Sequence, residues 1–196
     1  MLTAGVIIFA FPIYMALIGS THDAATIGRG SLPLYPGERG LENYSQAWSQ
    51  GSGERVKASP VARMMFNSFV MAVVIAVGKI AVSIISAYAV VFFVFPLRMF
   101  FFWMIFITLM LPVEVRIIPT FKVLSDLGMI NTFAGLTVPL IASATATLLF
   151  RQFFLTVPDE LVEAAKIDGA GPLRFFTHVL VPLSKTNIAA LFVILF

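Results

Sequence analysis

The run from Met64 to Phe92 is apolar almost without interruption, and Lys79 is its single charge. A helix needs about 20 apolar residues to cross a bilayer, and this run is longer. Four further segments have the same character: Leu2 to Ile18, interrupted by Pro12; Met99 to about Val113; Phe133 to about Phe150; and Asn187 to the chain end. Backbone amides in lipid find no water, so spanning segments are helices or closed barrels. Barrel strands alternate apolar and polar residues. These runs do not alternate, so the expected fold is all-α, a polytopic transmembrane helical bundle with five segments. Composition agrees: 59% of residues are hydrophobic and 12% charged, against about 45–50% and about 25% in soluble domains. The first and last spans read as clipped, which makes a fragment of a longer chain the expectation.

The connections divide by length. Residues 19–62 form a polar stretch rich in Gly, Pro and Ser, read as an extramembrane loop. Phe93 to Leu97 is a tight turn with Pro96 as breaker. Pro112 and Pro119 are expected to bracket the exit of the third span. Thr120 to Thr132 has the pattern of an interfacial helix, with Phe121, Leu124, Leu127 and Met129 on lipid and Lys122, Ser125 and Asp126 in water. A polar segment then runs from Arg151 to Thr186. Lys and Arg should be enriched in cytoplasmic loops. Here Arg29, Arg39, Arg55, Lys57, Arg63, Arg116 and Lys122 would lie on one side, and Arg98, Arg151, Lys166, Arg174 and Lys185 on the other, which does not decide the orientation.

Several chemistries are poorly supported. The chain has no cysteine, which rules out disulfides, zinc ribbons and thiol nucleophiles within it. The net charge of +3 comes from loop cations, with no basic stripe for nucleic acid. Gly28-Arg-Gly30 and Gly51-Ser-Gly53 fit neither a phosphate-binding loop nor a dinucleotide fingerprint. His22 and His178 stand in separate loops and read as solvated or turn-bonded rather than as metal ligands. A membrane-embedded enzyme would need clustered polar groups in the spans, and a secondary transporter repeated halves with matching helix breaks. Neither pattern is visible in the sequence.

The polar segment between the last two spans parses into a helix–turn–helix. Thr156 is placed as N-cap, Pro158 in the first turn, and Asp159 and Glu160 at the positive helix end. Gly169 is placed as the left-handed residue that closes the helix, Pro172 starts a second helix, and Pro182 ends it. Two small alanines would let such a helix enter a cleft on another protein, with Glu163 and Asp168 as flanking carboxylates. A well-capped solvated loop is the alternative that local physics leaves open.

The spacing Glu163-Ala164-Ala165, three residues, Gly169, nine residues, Val179, one residue, Val181, Pro182 resembles the EAA loop of binding-protein-dependent ABC importer permeases. Val stands where the family pattern has Ile and Leu. Asp168 and Ala170 resemble the sugar-importer branch. Asn67-Ser-Phe-Val-Met-Ala, the run Phe102 to Ile117, Ala142-Ser-Ala-Thr-Ala-Thr, and Leu149-Phe-Arg-Gln-Phe-Phe are similar to permeases of glycerophosphate importers.

The resemblance implies a type-1 permease domain of six spans, of which 1–196 would lack the end of the fifth and the sixth. It implies that residues 151–186 are cytoplasmic and 19–62 periplasmic, in the bacterial inner membrane. Glu163, Ala164, Ala165, Asp168 and Gly169 would couple the chain to an ATP-binding subunit. The implied partners are a second permease subunit, two ATP-binding subunits and a periplasmic substrate-binding protein. No cofactor is expected on this chain, with ATP and Mg on the ATP-binding subunits, and no catalysis. The implied cargo is sn-glycerol-3-phosphate or a glycerophosphodiester, with another sugar or polyol as the alternative. The charges Lys79, Glu114 and Arg116 are the candidates for a substrate path. Structural pairing, or snorkelling of Arg116, is the competing reading, and Glu114 and Arg116 do not face each other on one helix.

Overall fold

A computed structural model describes residues 2–30, 33–51, 59–108 and 110–196. Arg55, Lys57 and the Ser52-Gly53 part of the Gly-rich motif lie outside the described residues. The chain forms two compact units, Met1–Ser68 and Phe69–Phe196. Among the described residues all regular structure is helical.

In the first unit, α1 (Leu2–Gly19) is a continuous helix through Pro12. The expected interruption is absent, because a single lost amide donor does not stop an apolar helix in a membrane setting. The polar stretch after it is more ordered than a bare loop. It holds α2 (Ala24–Gly28) and α3 (Gly40–Ser49), and it folds back on the end of α1. Asn43 Nδ2 donates to the carbonyls of Ser20 and His22, both at 2.9 Å. The Gly37 amide donates to Thr21 Oγ1 at 2.7 Å. His22 Nε2 lies 2.8 Å from the Tyr35 carbonyl, a turn-bonded histidine as its sequence position suggested.

The long helix α4 (Val61–Phe92, 32 residues) is the one described helix whose length and hydropathy suffice to cross a bilayer alone. Leu97, at φ 63°, makes the left-handed corner into α5 (Arg98–Ile107). The third apolar segment is therefore helical only to Ile107, short of the Val113 expected. The next helix starts earlier than expected. α6 runs Val113–Asp126 with Pro112 as its N-cap and Pro119 inside it. Pro119 thus interrupts nothing, and of the helix expected over 120–132 only the part to Asp126 is helical, as the second half of α6. Lys122 and Asp126 pair at 3.8 Å across one turn. Gly128, at φ 66°, closes α6: its amide reaches Ser125 at 3.0 Å, and the Met129 amide reaches Leu124 at 2.8 Å. These two bonds make a Schellman corner.

The fourth segment is broken rather than straight. α7 (Phe133–Thr137) continues through a 3-10 turn, Val138–Leu140, and α8 (Ala144–Phe154) begins after a bend of 43°. Pro139 removes a donor inside the first piece. Ser143 then restarts the winding by accepting from the Ala146 amide at 3.3 Å. α8 also runs four residues past Phe150, so Arg151 lies within a helix and not at the start of a polar loop.

Small residues bring α4 and the fourth segment together. Ala76, Ala87 and Ala146 are fully buried. A Cβ on Gly78 would stand 2.9 Å from Ile141 Cγ2. Ser83 Oγ donates to the Ser143 carbonyl at 3.1 Å. Lipid offers no hydrophobic drive between helices, so close van der Waals approach and such bonds supply the attraction. Arg151 is held from α8 over the Phe102 ring of α5, at 4.2 Å.

Candidate functional site

The site is built where the chain leaves α8. Thr156 does not cap the next helix. Its Oγ1 donates back to the Phe153 carbonyl at 2.7 Å and so finishes α8. The N-cap of α9 (Asp159–Ile167) is Pro158, in extended conformation at φ −62° and ψ 140°. Only two residues, Val157 and Pro158, separate Thr156 from Asp159, and the threonine serves the helix end that is already formed. Asp159 and Glu160 occupy the first turn of α9 as expected, beside its positive end.

Gly169 closes α9 as a left-handed residue at φ 72°. Its amide reaches the Lys166 carbonyl at 3.0 Å, and the Ala170 amide reaches Ala165 at 2.8 Å. This is a second Schellman corner, and it reverses the chain within two residues. Pro172 opens α10 (Pro172–Phe175), after which the winding loosens into a π turn over Phe176–Leu180 and tightens again in α11 (Val181–Leu183). Pro182 therefore lies inside the winding, and the break comes at the buried Ser184, whose Oγ donates to the Leu180 carbonyl at 2.6 Å. There the chain bends by 69° into α12 (Lys185–Leu195), two residues earlier than the expected start at Asn187. Thr177 Oγ1 and His178 Nδ1 lie 2.8 Å apart, so the second histidine is also turn-bonded.

The motif residues divide between two faces. Ala165 points inward at 9% exposure, in a cluster with Ile84 and Ala87 of α4, Phe150 and Phe154 of α8, and Phe175. Ala164, Glu163, Asp168 and Gly169 are exposed on the other side. The two alanines thus have different surroundings: one seats α9 on its own chain, and the other is open. Among the described residues, Glu163 and Asp168 make no side-chain hydrogen bond or ion pair, so neither braces the turn's amides. Two large apolar side chains stand beside them in the open, Ile167 at 86% exposure and Leu173 at 76%.

Tyr88 and Arg151 were not foreseen from sequence. Tyr88 Oη donates to the Pro172 carbonyl at 2.8 Å, joining α4 to the corner. The signal was a lone tyrosine among phenylalanines at the end of the longest apolar run, since a hydroxyl in apolar surroundings calls for a partner.

The three charges proposed for a path are not brought together. Lys79 lies partway along α4, half-buried, one turn from the Ser83 that touches the break in the fourth segment. Glu114 and Arg116 sit in the first turn of α6, both exposed, and not at the end of the third span as expected. No ion pair involves any of the three among the described residues.

Residues 79–196 match the model of a family described as the binding-protein-dependent transport system inner membrane component. The chain belongs to this family. Its relatives extend the match to the whole chain. It is 65% identical over 196 residues to the sn-glycerol-3-phosphate transport system permease protein UgpE of Rhizobium meliloti (strain 1021), covering 100% of this chain and 69% of that protein. Identity to the protein of the same description from Salmonella typhi is 58%, with the same coverage. A solved bacterial ABC transporter involved in import of the acidic polysaccharide alginate superposes with a TM-score of 0.68 over 99% of this chain. At 22% identity, with the present chain spanning 66% of that chain's length, the superposition shows the helical permease fold alone. Family membership makes the protein an inner membrane component of a binding-protein-dependent transport system, as the EAA spacing led us to expect.

Proposed function

We propose that this chain is one of two membrane subunits of an importer that carries sn-glycerol-3-phosphate or a glycerophosphodiester into the cell. ATP and Mg sit on two partner subunits, and a periplasmic binding protein delivers the cargo. In this reading residues 19–62 face the periplasm and 151–186 the cytoplasm. The exposed side of α9 and its corner, with Glu163, Ala164, Asp168 and Gly169, docks on an ATP-binding subunit, and Ala165 anchors the helix from behind. Lys79 is the cation assigned to the route of an anionic cargo, since a charge inside a span is retained where it faces a cavity or a partner. Glu114 and Arg116 are assigned structural roles.

The observation that carries the cargo assignment is the identity over the entire chain, 58–65%, to permeases described for sn-glycerol-3-phosphate. The docking assignment is supported by an acidic, exposed helix face next to two uncovered apolar side chains. The test is ATPase activity of the reconstituted transporter with its loaded binding protein. Stimulation by sn-glycerol-3-phosphate or a glycerophosphodiester is expected. Stimulation by neutral sugars or polyols, with none by the phosphate compounds, would overturn the cargo.

A further inference from the structure

Among the described residues, one hydrogen bond links α4 to the corner element, and it comes from Tyr88. The Pro172 carbonyl that accepts it also accepts the Phe176 amide within its own helix, so the tyrosine uses its second lone pair. The Tyr88 ring packs on Phe176 with centroids 4.9 Å apart. Pro172 and Phe176 are one helical turn apart, so a single side chain grips both ends of that turn. Phe92, at the end of the same helix, and Phe93, just beyond it, wall the ring at 5.5 and 5.1 Å. The remaining contacts between α4 and the corner are apolar, and apolar surfaces slide where a directed bond fixes register.

The chain just beyond this gripped turn is wound differently. Residues 176–180 form a π turn, and the chain then bends at Ser184. A π segment holds one extra residue per turn and is a place where winding changes. The corner is thus joined to α4 by a directed bond and to α12 through a π turn and a 69° bend.

We propose that Tyr88 is a positioning residue that transmits movement of the corner element to α4, and so to the span that carries Lys79. This rests on the docking role proposed above. In this role Tyr88 acts through the corner element and not by contact with cargo or nucleotide.

The test compares Tyr88→Phe with the parent in the complete transporter in proteoliposomes, scoring cargo taken up per ATP hydrolysed. The ring and its packing survive this change, and only the hydroxyl is lost. Assembly and basal ATP hydrolysis are expected to persist, and uptake per ATP to fall about fivefold, the factor one net hydrogen bond represents. Phe176→Leu, which removes the aromatic partner of the ring instead, is expected to lower the same ratio. Parent-like ratios in both variants would overturn the proposal. So would a Tyr88→Phe transporter that fails to assemble, because the hydroxyl would then be structural. Retention of the ATP-binding subunits in Glu163→Arg and Gly169→Val variants, with normal uptake, would instead defeat the docking role and is read separately.

Discussion

At the residue scale, the corner at Gly169 and the cap at Ser143 make opposite demands. A Cβ on Gly169 meets nothing within 4 Å, so any penalty there is conformational and not steric. At φ 72° a β-branched residue is strained by roughly 1–2 kcal/mol or more. Gly169→Val is expected to lower the thermal stability of the purified transporter and Gly169→Asn to be nearly neutral, because asparagine tolerates this region. Equal losses in the two would contradict a left-handed corner. Ser143 caps α8, so Ser143→Ala should cost about 1 kcal/mol. Thr156 caps no helix start, and Thr156→Ala should cost less than half of that in the same assay. The sequence was readable here in part. Gly169, Asp159 and Glu160 were found because glycine after a helix and acids at its start have local causes. Thr156 was misplaced because a threonine between two closely spaced helix ends serves whichever end its backbone geometry reaches.

At the element scale, the seam between α4 and the broken fourth segment is the best-determined packing. Gly78→Val would drive a side chain into Ile141, and overpacking of this kind typically costs about 1–3 kcal/mol. We expect Ile141→Ala to restore part of the loss when combined with it, measured by thermal unfolding of the double variant. Full additivity of the two losses would contradict the contact. Apolar runs revealed the number of segments but not their breaks. Prolines were the visible cues, yet Pro12 and Pro119 lie inside helices. Pro139, with Ser143 ready to restart the winding, accompanies a real bend, as does Pro182, two residues before the sharper bend at Ser184. A proline's effect depends on whether neighbouring groups can take over the freed carbonyl, and that is a tertiary property.

At the scale of the whole molecule, the family assignment was legible because the EAA spacing is held by one contiguous stretch whose constraints are local: a cap, a corner and a second helix. The path for cargo was not, because Lys79 lies on α4 and Glu114 and Arg116 on α6, and no ion pair or cluster joins them among the described residues. If Lys79 serves an anionic cargo, Lys79→Met should raise the cargo concentration needed for half-maximal uptake about tenfold, a loss of ~1.4 kcal/mol. Lys79→Arg should retain most of the affinity. Unchanged uptake in Lys79→Met would return this residue to a structural role.

The proposed coupling to ATP rests on one contact, between the open face of α9 with its corner and an ATP-binding subunit. These 196 residues contain no cysteine, which makes an engineered thiol here easy to track. Ile167→Cys in the complete transporter, treated with a short bifunctional thiol reagent against single cysteines placed on the ATP-binding subunit, measures this contact directly. A cross-linked adduct is expected from Ile167→Cys and none from Trp48→Cys in the 19–62 stretch. An adduct from Trp48→Cys, with none from Ile167→Cys, would contradict both the docking face and the orientation of the chain.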